Sequence, residues 1–140
     1  MKKTLITLLL LNLFQISYSQ VLLDGAYGFE NKTHSFVIYK TPTIVQVALI
    51  SKQGLKQQNA IAEMRIAPKH SDAPGKVWYE FTSDSCSYDF DIPKNTLTLN
   101  VFDCKNESKD SKLVFVKKGF QSLSSLNQQT EKQKKNLNKQ

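Results

Sequence analysis

A chain of 140 residues with two cysteines and a formal net charge of +7 has room for one domain with one ordinary core. Two cysteines are too few for a disulfide-built scaffold, so any bridge braces a core rather than replacing it. The charge excess gathers at the two ends, in Lys2 and Lys3 and in Lys132, Lys134, Lys135 and Lys139, which describes a leader and a tail rather than a nucleic-acid-binding face.

Lys2 and Lys3 precede a largely apolar run from Leu5 to Ile16, the length of a signal-peptide core and short for a bilayer span. Ser17 and Ser19 are the small residues a signal peptidase selects. Residues 1–19 therefore read as a signal peptide, with the mature chain beginning at Gln20 in the periplasm or outside the cell. No cysteine follows the run, which disfavours a lipid anchor, and no membrane span is expected after the leader is removed. An exported chain with two cysteines is expected to be oxidised.

The mature chain opens with a weak strand at Ala26–Phe29. In His34 to Tyr39, Phe36 and Ile38 alternate with Val37 and Tyr39, so this strand is apolar on both faces. After the break at Thr41-Pro42, Thr43 to Ile50 is rich in β-branched residues and reads as a strong strand. Ser51 to Asn59 reads as a loop. Ala60 to Ala67 fits either a helix or a strand. Strand is favoured because Pro68 and the Ser-Asp-Ala-Pro-Gly run at 71–75 end it early. Val77, Tyr79 and Phe81 form the next strand, with Trp78 and Glu80 on its other face.

The stretch from Ser85 to Lys105 reads as a β-hairpin. Tyr88, Phe90 and Ile92 alternate with polar residues, as do Leu97, Leu99 and Val101, around the turn Pro93-Lys94-Asn95-Thr96. Pairing Phe90 with Leu99 places both apolar sets on one face. The same register sets Cys86 opposite Asp103, one short of Cys104, so a bulge is expected near Phe102. A Cys86–Cys104 bridge there is worth roughly 3 kcal/mol by loop entropy. Leu113 to Val116 closes the set.

About eight short strands at near-regular spacing define an all-β fold, a small antiparallel barrel or sandwich over residues 20–120 with one disulfide-braced hairpin. A barrel is preferred, because strands apolar on both faces leave costly open edges. From 121 to 140 the chain is Gln, Asn, Lys and Ser with few apolar residues and reads as a disordered basic tail or at best a frayed helix, placed to contact anionic surfaces.

Sites of chemistry are sparse. His34 near Glu30 and His70 near Asp72 supply too few ligands for a zinc centre, so no metal and no cofactor is expected. Asp89 and Asp91 share one strand face, with Asp103 expected nearby. They form a candidate acid–base set, but outward acids on an amphipathic strand are the commoner arrangement. No Gly-x-Ser-x-Gly elbow occurs, and the cysteines lack redox-motif spacing. Asn31 and Asn106 open glycosylation sequons, which matter only in a eukaryotic host.

The strand aromatics Trp78, Tyr79, Tyr27 and Tyr39 are the candidate ligand-binding face. In leader, size, strand number and single bridge the chain resembles small exported bacterial β-barrel modules, among them periplasmic lysozyme inhibitors and lipocalin-like domains. No functional motif of either group matches positions here. The expectation is a non-enzymatic module that binds a protein or glycan through the aromatic face. The alternatives are an inhibitor or immunity protein blocking an enzyme with the 71–75 loop, and a hydrolase using Asp89, Asp91 or Asp103.

Overall fold

A computed structural model describes residues 21–54, 56–70, 74–106 and 108–139. The signal-peptide reading of residues 1–19 lies outside them. Eight strands form a closed antiparallel barrel in sequence order: β1 (Gly25–Glu30), β2 (His34–Lys40), β3 (Val45–Ser51), β4 (Gln57–Ile66), β5 (Val77–Thr82), β6 (Ser87–Asp91), β7 (Thr96–Phe102) and β8 (Ser111–Ser122). The all-β expectation takes the form of a barrel, in which β8 returns to pair with β1 and leaves no terminal strand open.

Alternation sorts the side chains as a barrel requires. Phe29, Phe36, Ile38, Tyr79, Phe90, Leu97, Leu99 and Phe115 point inward and are almost wholly buried. Their rings fill the interior. Phe90 lies 5.0 Å from Tyr79 and 5.2 Å from Phe36, and Phe36 lies 5.8 Å from Phe115, between ring centroids. Leu22, ahead of β1, joins this core.

Turn chemistry is local. Asn31 Oδ1 accepts from the backbone N–H of Thr33 (2.9 Å) and of His34 (2.7 Å), an Asx turn that commits this sequon side chain to the β1–β2 hairpin. Thr41 Oγ1 accepts from Ile44 N at 3.2 Å between β2 and β3, and Ser83 Oγ accepts from Cys86 N at 3.1 Å between β5 and β6. Gly25 has φ +149°, and a Cβ there would run into the Gln121 carbonyl oxygen where β1 and β8 meet.

The hairpin has the expected register, Phe90 opposite Leu99, unbroken to Ser87 opposite Phe102. Cys86 and Cys104 are bridged. The one-residue offset falls just past the ladder, at Asp103, whose φ is +49°. Beyond it Lys105 N bonds to Ser85 O at 2.9 Å, one step out of the inner register. Asp is among the few non-glycine residues that tolerate this conformation.

Three expectations are corrected. β4 begins at Gln57, inside the stretch read as a loop, because β3 supplies a full set of partners. β8 runs six residues past Val116 to Ser122, since closure against β1 pairs Gly28 with Gly119 and Ala26 with Gln121. Of the two readings of 121–140, disorder gives way to helix. A helix, α1, spans Leu123–Leu137, with Ser122 Oγ capping it by accepting from Ser125 N at 3.3 Å. None of its residues is buried. The tail is polar, but it lacks Gly and Pro and is rich in Gln, Lys and Leu, which favour helix without needing a core.

Candidate functional site

The four aromatics singled out from the sequence do not form one face. Tyr79 is buried inside the barrel, and Tyr27 is buried near its end. The Tyr79 hydroxyl accepts from Leu22 N at 3.4 Å, and the Tyr27 hydroxyl donates to Leu23 O at 3.0 Å. Trp78 and Tyr39 lie on the outside, on β5 and β2, with β3 and β4 between them. Tyr79 follows Trp78 directly, so alternation sends their rings to opposite sides of the wall.

Trp78 is tied into its surroundings. Its Nε1 donates to Glu80 Oε1 at 2.9 Å, and Glu80 Oε2 accepts from Arg65 Nε at 3.1 Å. Arg65 pairs across the ladder with Trp78 and also donates to Glu63 at 3.0 Å. The ring is half-buried in a polar network rather than free as a stacking platform.

Burial raises the phenol pKa of Tyr79 and of Tyr27 above the ordinary value of 10.0, with the Tyr27 bond to Leu23 O opposing the effect. The folded state therefore holds these protons more tightly than the unfolded chain. The stability this supplies is full below pH 10 and is lost as pH rises from about 10 through the raised values. In an alkaline titration, tyrosinate absorbance from Tyr79 should grow in step with loss of the barrel's near-ultraviolet dichroism. In Tyr79→Phe that coupled component should be smaller.

Asp89 and Asp91 share the outer face of β6 as expected, but each is engaged and Asp103 lies apart. Asp89 Oδ1 accepts from Asn100 Nδ2 at 2.6 Å, and Asp91 pairs with Lys76 at 2.9 Å. Asp103 stands beyond the end of β7, three residues along the ladder from Asp89, a distance of about 10 Å. No group of three or more His, Cys, Asp or Glu side chains among the described residues is arranged to hold a metal. Of the 71–75 loop, residues 71–73 lie outside the described residues. Lys134 on α1 lies 3.7 Å from Glu131.

The structure does assemble a surface that no single stretch announces. Outward positions on β8, β1 and β2 are Gly119 and Gln121, Ala26 and Gly28, Val37 and Tyr39. The band continues through Gln46 and Ala48 on β3 to Asn59 and Ile61 on β4. It crosses five strands without a charged side chain. Ion pairs border it: Glu30 with Lys52 (3.3 Å) and Lys118 (3.1 Å) at one end, and Asp24 with Lys40 (2.6 Å) at the other. A groove of about 490 Å³ lies over Val37, Tyr39, Ala48 and Ile61, and another of about 350 Å³ over Ala26, Gly28 and Gly119. The outward faces of β5, β6 and β7 instead carry Glu80, Asp89, Asp91 and Asn100. The sequence signal for the band was present, in strands apolar on both faces.

Among the described residues no helix is long and apolar enough to cross a membrane. The chain matches no family model, no characterised protein and no solved structure.

Proposed function

We propose that the protein is an exported, non-enzymatic binding module, periplasmic or secreted, that holds a protein partner against the uncharged outer wall of β8, β1, β2, β3 and β4. The observation that carries the reading is the filled interior. With Phe36, Phe90 and Phe115 occupying the barrel's centre, recognition falls to the outside. The exposed apolar residues along this uncharged band, Val37, Tyr39 and Ile61, are costly to leave in water, and such patches mark contact sites. A protein is favoured over a glycan because Trp78 is engaged by Glu80 and, of the wall's ten outward positions named above, Tyr39 alone is aromatic. The apolar run before Ser17 and the oxidised cysteine pair support export.

Photo-crosslinking tests this. A benzoylphenylalanine placed at Val37, on the wall, is expected to give a discrete protein adduct in the producing cell, and Ala48→Arg should abolish it. The same residue at Thr98, on the outer face of β7, should give none. Equal adducts from both positions, or none from Val37, overturn the proposal.

A further inference from the structure

β4 changes neighbours halfway along. Its first part pairs with β3, the last pair being Val45 with Ala62, and Glu63–Ile66 pairs with β5. The direction of its backbone groups follows from two bonds. Ala67 N donates to Lys76 O at 2.9 Å, so odd-numbered positions in this half aim at β5. Ser51 N donates to Lys56 O at 3.1 Å, so even-numbered positions aim at β3. Met64 and Ile66 therefore direct N–H and C=O toward a place that β3 does not reach. The chain ahead of β3 has already turned away there, with Thr41 N bonded to Ile44 O at 2.9 Å. Among the described residues, no backbone partner meets the two donors and two acceptors.

The side chains of those two residues break the barrel's own rule. Met64 pairs with Tyr79 and Ile66 with Val77, so both share the inward face. Tyr79 and Val77 are buried, yet Met64 is 51% exposed and Ile66 60%. Beside Met64 opens a cleft of about 510 Å³, lined by Pro42, Ile44, Ile61 and Tyr79 with Lys40 and Glu63 at its margin.

Tilted barrels commonly leave a few rim groups unpaired, and natural edges are then guarded by charge, proline or a bulge. The opposite margin of β4 follows that practice at its first two positions, where Gln57 and Asn59 lack a β5 partner and their polar side chains bond to each other at 2.9 Å, while Ile61, the third, is exposed. At the Met64–Ile66 margin both side chains are apolar, and the nearby charges are already paired, Glu63 with Arg65 at 3.0 Å and Lys40 with Asp24 at 2.6 Å.

We propose that the Met64–Ile66 edge is a docking site for an extended peptide segment of a protein partner, which adds to β4 as a short strand. Two donor–acceptor pairs spaced two residues apart, about 7 Å, match an extended polypeptide. Pairing leaves alternate side chains of the segment facing the cleft, where Met64, Pro42 and Ile44 offer apolar contact, and the charged outer face. The preferred sequence therefore alternates β-branched or aliphatic residues with polar ones. The inference rests on the reading of the barrel as a protein-binding module and adds the form in which part of the partner is held.

The test is a displayed library of linear eight-residue peptides selected on the oxidised protein, followed by titration of the enriched peptide. Binding to Met64→Pro, which removes an edge donor and no ladder bond, should weaken about tenfold, the loss of one hydrogen bond. N-methylation of the peptide at alternate amides keeps the test independent of that variant's folding. One phase should lose binding and the other retain it. Bound peptide should also slow hydrogen exchange at the Met64 and Ile66 amides. Failure to enrich any peptide, equal loss for both N-methyl phases, or unchanged exchange at those amides overturns the proposal. The outer-wall variant Ala48→Arg, which lies away from the cleft, reports separately with the Val37 adduct. Loss of the adduct's specificity with phased peptide binding intact removes the wall and keeps the edge.

Discussion

Phe90→Ala is expected to cost the barrel about 3–5 kcal/mol, the loss typical of truncating a buried phenylalanine. Phe90 is 0% exposed. Its ring stacks on Tyr79 at 5.0 Å, meets Phe36 edge-on at 5.2 Å and lies 6.2 Å from Phe81. Phe36 comes from β2 and Phe90 from β6, so this contact crosses the barrel and joins walls that share no ladder. A shortened side chain cannot be replaced by sliding a strand, because every strand is held by neighbours on both sides. The cavity term therefore adds to the transfer term. Urea unfolding should show a lower midpoint with an unchanged slope, a substantial share of the 5–15 kcal/mol that holds an ordinary domain together. A loss under about 1 kcal/mol would mean that the interior collapses freely or was never filled, and surface recognition would lose its main support.

Most of the barrel was legible because its core strands obey a strict two-residue alternation. Phe90 opposite Leu99 follows from matching Tyr88, Phe90 and Ile92 with Leu97, Leu99 and Val101, and the structure has that register. The parity argument on the cysteines located the extra residue to within one position, at Asp103. Less could be read where partners far along the chain decide the outcome. Lys117 to Ser122 holds two lysines and a glycine and has little strand character of its own. It is a strand because β1 needs a partner to close the barrel. The helix after it was only half legible for the opposite cause: its composition resembles disorder as much as helix, and only the Ser122 cap marks where it starts.

The surface was read less well, for a geometric reason. Grouping Trp78 with Tyr79 ignored the fact that adjacent strand residues face opposite ways, and the aromatic face dissolves once Tyr79 and Tyr27 are inside. The uncharged wall draws two positions from each of five strands, and the neighbours across each ladder are set by register. Tyr39 meets Ala26 on one side and Gln46 on the other, a juxtaposition that no local window contains. Met64 and Ile66 fit the inward alternation of Ala62, yet they are exposed because β3 begins only at Val45 and, among the described residues, no strand pairs with them from that side.

Replacing both cysteines by serine is expected to cost about 3 kcal/mol by a different route. The bridge closes a span of 18 residues around the β6–β7 hairpin, and its effect falls mainly on the unfolded chain, which it keeps compact. The folded hairpin keeps other ties at the same end. Lys105 N still reaches Ser85 O at 2.9 Å, and Ser83 Oγ still accepts from the backbone N–H of residue 86 at 3.1 Å. The barrel should therefore stay folded with native near-ultraviolet dichroism while its urea midpoint falls. The slope separates this loss from that of Phe90→Ala. An unfolded chain freed from the crosslink exposes more surface, so the slope should rise in the serine variant and in reduced wild type, and stay constant in Phe90→Ala. A midpoint indifferent to reduction would show that the bridge constrains nothing the ladder does not already hold.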